Sequence, residues 1–582
     1  MKKLYLMLSM LFAFGAAANA VPAKKLQKVI TLTNGTQVSV ELRGDEYLSW
    51  WEGTDGTAYR ATADDAVFEA FDLEAQKPAA AARRARTEQG RVARLARVKN
   101  SLKGADDKMR GLGGDHITYK GVKKGLVVLV DFKNKKFADG HDLEYYKNVI
   151  NGKDFSDEEE GYVGSVRDYF LAQSNGQFEL DFDVVGPVTM SKNYGYYGND
   201  GAYQKDEKVY EMIKEACDGI QDKVNLKDYD WDGDGEADQV FFLYAGLGQA
   251  SGGSAGTVWP HESELRYWPC GVLSYSTGKI NTYACANELQ PETQGSSRYI
   301  SAGIGTICHE FSHCLGFADM YDTTGGGGYG MSVFDVMDQG SYNGNGFVPC
   351  NYTAFERIYA GWVEPIELID PATVKDMKSV SDYGRPFIMY NYKNTNEYFL
   401  MENRQNTGWD EGLYGSNGLL IVHVNYVPSR WANNSVNSSA EKIQCCTVVN
   451  ADGSRENTQY SLQGDLYPYE VKGVTMNDEF TDESEPAAKL YTKNSDNSYA
   501  LGIPITNIKR SKGSVSFLVC GGDDKNVIDN TFNGVVDGIN GVTVANKAAD
   551  NRIYSIDGRY LGTDASALGK GIYVVGGKKI VK

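Results

Sequence analysis

GIGTICHEFSHCLGFADMYD, residues 303–322, places His309 and His313 four residues apart with Glu310 between them. A helix turns about 100° per residue, so positions four apart lie about 40° apart on one face. Both imidazoles then stand side by side, where they can bind one zinc ion, and Glu310 projects beside them as a base for the water that such an ion activates. Ile307, Cys308, Phe311, Cys314 and Leu315 recur at helical spacing and predict a buried stripe. The two histidines fall roughly opposite its centre, so the expectation is an amphipathic helix with its ligands turned away from the packed side.

Gly316 follows the second histidine by three residues, where a left-handed residue ends a helix, and Asp319 follows by three more. The whole reads H-E-x-x-H-x-x-G-x-x-D, a metzincin-like pattern with Asp where the commoner form has His. A resting catalytic zinc normally has three protein ligands, which makes Asp319 the expected third. Asp322 breaks that spacing, and Glu356 is a more distant competitor. Met337, 24 residues beyond His313, falls where a methionine turn would lie under the metal.

The 582-residue chain has 59 Lys and Arg against 77 Asp and Glu, a formal charge of −18 that argues against nucleic acid and anionic membrane as partners. Lys2 and Lys3, the apolar run from Leu4 to Phe14 and the small residues Ala18-Asn19-Ala20 read as a secretory signal peptide, residues 1–20, cut after Ala20. No later run of about 18 apolar residues appears, so no membrane span is expected. The nine cysteines are an odd number, which leaves at least one thiol free or bonded to another chain, and none forms a Cys-x-x-Cys pair for thiolate zinc. Cys308 and Cys314 read as small core residues.

After the signal peptide, VITLTNGTQVSVELRG and EYLSWWEGTDGTAYRA alternate apolar and polar around Asn34-Gly35 and Asp55-Gly56, the marks of β-hairpins. Arg83, Arg84, Arg86, Arg91, Arg94 and Arg97 then crowd a helical linker that offers a site for cleavage after arginine. Residues 21–112 therefore read as a β-rich pro-segment. It holds no cysteine, so a carboxylate is the group left to block the metal, with Asp45 favoured over Asp115. GLVVLVDF, from Gly125, predicts a central strand opening a catalytic domain over 113–365. Short strands such as FIMYNY and GLLIVHV over 366–520 predict a β-sandwich-like domain, in which His423 alternates with apolar residues and reads as structural. A polar linker over 521–550 precedes a set of short strands over 551–582. The fold class expected is α+β.

A second metal motif is Asp230-x-Asp232-x-Asp234-Gly235-Glu236-x-Asp238. Oxygens at positions 1, 3, 5 and 9, with a glycine turn at 6 and the Glu236 carbonyl at 7, suit a structural calcium ion. Phe241 occupies the position of the bidentate Glu of an EF-hand, so the expectation is a free-standing calcium loop.

RGDEYLSWWEGTDG, GLVVLVDF, DWDGDGEADQVFFLYAG, VWPHESEL, HEFSHCLGFADMYD, DVMDQGSYNG and MENRQNTGWDEGL together resemble the immune inhibitor A family of secreted bacterial metalloproteases. The resemblance implies a zinc endopeptidase acting on proteins or peptides, made as a latent precursor, with a metzincin-like domain followed by a β-rich one. His261, in VWPHESEL, and Tyr342 are then candidates for steadying the oxyanion of the reacting carbonyl. IYSIDGRYLG, KGIYVV and the basic end look like the C-terminal sorting tails of Bacteroidetes type IX secretion. That similarity implies engagement with an outer-membrane secretion machinery and release from, or retention at, the cell surface. A different reading is a calcium-stabilised surface adhesin on an inactive protease fold, against which the intact Glu310 argues.

Overall fold

The computed structural model describes residues 18–19, four short strands after 552, and 21–534 apart from 63–65, 86–118, 201–204, 294–295, 325–327, 414–416, 439–442, 457–460 and 533. Most of the expected signal peptide, Arg86 to Arg97 and Asp115 lie outside the described residues. The chain forms two compact units of interleaved segments: 1–94, 126–143 and 184–300 in the first, and 95–125, 144–183 and 301–582 in the second.

In the first unit, strands Gln27–Leu32, Gln37–Gly44, Ser49–Gly53, Ala58–Ala61 and Val67–Ala70 close into a barrel. Gly35 and Gly56 turn its hairpins at φ of +82° and +80°, a left-handed conformation that suits glycine. The principal sheet is built on β1 (Gly121–Asp131), β2 (Phe178–Thr189), β3 (Val240–Leu247), β4 (His261–Glu264) and β5 (Thr282–Pro291), in the order β4-β5-β3-β1-β2. β3 runs parallel to both β1 and β5, while β4 is antiparallel to β5. Leu126 to Val130 are buried without a break, because strands inside a parallel sheet are covered on both faces. The helix Val209–Ile220 supplies one cover: Val209, Met212, Ile213, Ala216, Cys217 and Ile220 share a cluster with Leu126, Val128 and Phe242.

The second unit is organised around two helices, α1 (Val166–Gln173) and α2 (Gly305–Cys314). Ser165 starts α1 with a capping box: its Oγ accepts the Asp168 amide at 3.0 Å, and Asp168 Oδ2 accepts the Ser165 amide at 3.1 Å. Phe170 of α1 packs its ring 5.2 Å from that of Phe311 on α2. C-terminal to these helices, one sheet orders Ile366–Glu367, Phe387–Tyr390, Glu397–Arg404, Gly418–Asn425 and Cys446–Val448. A second orders Ile505–Ser511, Ser514–Val519, Ala372–Met377 and Val527–Ile528. Both sheets feed one core, in which Phe387 and Phe517 meet edge to face at 5.8 Å, a sandwich arrangement. Ile553–Ser555, Tyr560–Gly562, Ile572–Val575 and Lys578–Val581 form a four-stranded antiparallel sheet of their own. Each of the nine cysteines is a free thiol.

One expectation is corrected here. α2 is not amphipathic: all ten of its residues are buried, and His309, Glu310 and His313 are at 0% exposure. The helix is covered on the ligand side as well as on the stripe side, and polar groups tolerate that only when they are hydrogen-bonded or hold a partner. Backbone approach is correspondingly tight. A Cβ on Gly305 would stand 1.8 Å from the Ser341 carbonyl oxygen, and one on Gly303, at φ +72°, 2.3 Å from that of Gly346. Gly305→Ala should therefore cost roughly 1–3 kcal/mol through overpacking against immovable backbone, read as a lowered Tm. Gly195→Ala, where the new methyl meets nothing within 4 Å, is the control expected to leave Tm unchanged.

Candidate metal centre

α2 ends in a Schellman motif. The Gly316 amide donates to the His313 carbonyl at 2.9 Å and the Phe317 amide to the Ser312 carbonyl at 3.2 Å, with Gly316 at φ +93°. This turn swings the Phe317 carbonyl back over the helix end, where it accepts His313 Nδ1–H at 2.9 Å. The same stop signal that terminates the helix therefore orients the second histidine. His309 is fixed from the other side, by Nδ1–H donated to the Val336 carbonyl at 2.7 Å.

A carbonyl oxygen can only accept, so each Nδ1 carries the proton and each Nε2 presents a lone pair. The two Nε2 atoms are 3.2 Å apart, and Asp319 Oδ1 lies 3.1 Å from the first and 3.4 Å from the second. Asp319 Oδ1 is buried and accepts no hydrogen bond. Three electron-rich atoms thus face one another with no proton between them, an arrangement that a cation resolves. Ligand atoms about 2.0–2.1 Å from a tetrahedral zinc stand roughly 3.3 Å apart, which these spacings match. Burial lowers the pKa of His309, in keeping with a neutral ligand imidazole.

Asp319 is locked by Asn434, which sequence reasoning did not single out. Asn434 Nδ2 donates to Asp319 Oδ2 at 2.5 Å while its Oδ1 accepts the Asp319 amide at 2.7 Å. No pattern in WANNSVN marks this residue, because the contact spans 115 positions. The competitors are occupied elsewhere. Asp322 accepts from Thr324 and from the Gly328 amide, and Glu356 accepts from the Thr353 hydroxyl. Neither joins the His309–His313–Asp319 group.

Met337 is fully buried, and its carbonyl accepts the Met320 amide at 2.8 Å, so the 331–340 segment is tied to the strand of chain that carries Asp319. The residue that touches His309 is its neighbour Val336, through the carbonyl. Tyr342 is half-buried beside Glu310; burial first, and the charge of Glu310 second, push its phenol well above the ordinary value, so it stays protonated. His261 lies in the first unit with Nδ1 on the Trp259 carbonyl at 2.7 Å and Nε2 on the Tyr283 hydroxyl at 2.9 Å. Burial brings it down to about 4, and this arrangement leaves it no ring nitrogen for a substrate. Asp45, also in the first unit, pairs with buried Arg84 and accepts the Tyr47 amide at 2.9 Å.

In the acidic loop, carboxylate oxygens of Asp230, Asp232 and Asp238 come within 4.8 Å of one another. Asp230 accepts the amides of Gly233, Asp234 and Gly235 at 2.7 to 3.1 Å, which wraps the backbone round its carboxylate. Asp234 accepts the Glu236 amide at 2.8 Å and stands outside that trio; the Glu236 side chain turns to Arg266 at 3.4 Å, leaving its carbonyl as its offering to the loop.

Residues 120–363 match the family model described as immune inhibitor A peptidase M6, catalytic domain. The pre-pro-metalloprotease PrtV of Vibrio cholerae is 28% identical over 269 residues, which cover 39% of this chain and 28% of that protein. Immune inhibitor A of Bacillus thuringiensis subsp. alesti is 27% identical over 319 residues, 45% of each chain. The chain spans less than half the length of either relative. The matched segment contains His309, Glu310, His313 and Asp319, so the candidate metal ligands lie in the part of the chain that is similar to a peptidase M6 catalytic domain.

Proposed function

We propose that this chain is a secreted zinc endopeptidase that hydrolyses peptide bonds of extracellular proteins and is made as a latent precursor. The observation that carries the reading is the trio of His309 Nε2, His313 Nε2 and Asp319 Oδ1, packed at ligand spacing beside Glu310. Zinc held there supplies a Lewis acid and makes water nucleophilic near neutral pH. Glu310, between the two histidines and not itself a ligand, takes the proton of the attacking water on its carboxylate and returns it to the leaving amine. Tyr342, kept protonated beside Glu310, is the donor we assign to the developing oxyanion, in preference to His261. Asn434 and the carbonyls of Val336 and Phe317 fix the three ligands.

The further parts of the proposal are calcium in the Asp230–Asp238 loop as a structural ion, Asp45 as the latency group with Arg84 its counter-ion in the precursor, and export through an outer-membrane machinery that reads the tail over 551–582. The adhesin reading is not favoured.

Three results are expected. Glu310→Ala should lower kcat by about 10²–10⁴-fold with zinc still bound, whereas Asp319→Ala should lose both zinc and activity, and Asn434→Ala should weaken zinc affinity roughly 10–100-fold. Metal analysis of dialysed protein alongside peptide turnover checks all three, and stoichiometric zinc in the Asp319 variant would place the third ligand elsewhere. Calcium at 100 times its dissociation constant should stabilise the fold by about 2.7 kcal/mol, measured as a Tm shift on chelation that Asp230→Ala abolishes. The uncut precursor, checked by intact mass, should be inactive until cleaved in the arginine-rich stretch; full activity in uncut protein refutes latency.

A further inference from the structure

Beneath the metal group the second unit buries an excess of acid. Arg404 donates Nε–H and Nη2–H to the two oxygens of Asp410 at 2.7 and 2.5 Å, and Nη1–H to Glu402 at 3.0 Å and to the Phe334 carbonyl at 2.9 Å. Arg357, 1% exposed, is the other buried cation there, and its charge acts on Glu402 and Asp410. Two cations are thus matched by two anions. Asp335 and Glu356, both at 0% exposure, form no ion pair with a cation among the described residues.

Their hydrogen bonds use one oxygen each. Asp335 Oδ1 accepts the Met337 amide at 2.8 Å, and Glu356 Oε2, on the helix α3 (Ala354–Tyr359), accepts the Thr353 hydroxyl. Asp335 Oδ2 and Glu356 Oε1 are both buried without a donor, and the two side chains lie within hydrogen-bonding reach of each other. Two ionised carboxylates cannot occupy such a place together, because each would be an uncompensated buried charge next to a like charge.

We propose that Asp335 and Glu356 share one proton, Asp335 Oδ2–H donating to Glu356 Oε1, and that this carboxyl–carboxylate bond is a positioning element that holds the Asp335–Met337 turn so that the Val336 carbonyl meets His309 Nδ1. The bond anchors the turn to α3, while Asp335 Oδ1 and the Asp335 carbonyl, which accepts the Asp338 and Gly340 amides, shape the turn itself. Burial raises both acids, Asp335 well above its ordinary value and Glu356 to about 7. The charged groups facing the pair are Arg404, Glu402 and Asp338. The phenols of Tyr169, Tyr352 and Tyr398 and the thiols of Cys350 and Cys446 also face it, each kept neutral by a pKa that burial raises.

The consequence for zinc rests on the proposed function, but the shared proton does not, so the test has two arms. In metal-free full-length protein, the folded state keeps a proton that the unfolded chain gives up. Wild-type Tm should fall as pH rises from 6 to 9, and that slope should shrink by about one proton in Asp335→Asn, whose amide donates the same hydrogen bond with no proton to lose. In zinc-loaded protein, wild type should lose metal to a chelator faster at pH 9 than at pH 7. Asp335→Asn should hold it equally at both, and Asp335→Ala, lacking the bond, should release it at least tenfold faster at pH 7. Where Asp335→Ala fails to fold, Glu356→Gln, which keeps one proton between the two side chains, serves with Asp335→Asn as the rescuing pair. A wild-type pH slope in Asp335→Asn, or metal loss from Asp335→Asn as fast as from Asp335→Ala, overturns the proposal. Wild type that binds no zinc at all would instead refute the function, leaving the first arm to stand or fall by itself.

Discussion

Two imidazole nitrogens and a carboxylate oxygen, each presenting a lone pair, are held 3.1–3.4 Å apart in a place closed to solvent. Left to themselves they repel, so the surroundings must hold them together. The helix fixes the histidine spacing, the Schellman turn holds one ring and the Val336 carbonyl the other, and Asn434 clamps the carboxylate from two directions. A site stabilised from this many sides loses little by reorganisation when it takes up a cation, which is what a preformed metal centre requires.

The support comes from far along the chain. Arg404, on a sandwich strand, reaches the Phe334 carbonyl beside the turn, and Thr447, on another, donates to the Gly330 carbonyl at 2.9 Å. Asp338 accepts the amides of Met331 and Ser332 at 2.9 and 2.8 Å and so ties the segment to itself. The β-rich part of the second unit is therefore structurally part of the centre, and MENRQNTGWDEGL earns its place in the sequence through Arg404 and Asp410, which are buried together.

What could be read from the sequence was local. His309, Glu310, His313, Gly316 and Asp319 sit within eleven residues, so helical geometry and one glycine suffice to bring them together, and hairpin glycines and alternating residues mark individual short strands in the same way. Long-range pairings left no such trace. Asn434 against Asp319 and Asp335 against Glu356 are ordinary polar residues until the fold apposes them. The burial of α2 was also illegible, since an apolar stripe predicts only the covered face, while the ligand face is covered too, with its imidazoles held by the Val336 and Phe317 carbonyls. The interleaving of the two units follows from strand order, which periodicity does not encode.

Zinc-edge X-ray absorption on protein loaded with one equivalent of zinc addresses the centre most directly. The account predicts four light-atom ligands near 2.0–2.1 Å, with the outer-shell scattering of two imidazoles and no sulfur. A zinc–sulfur distance near 2.3 Å, or a spectrum with fewer than two imidazoles, would contradict it.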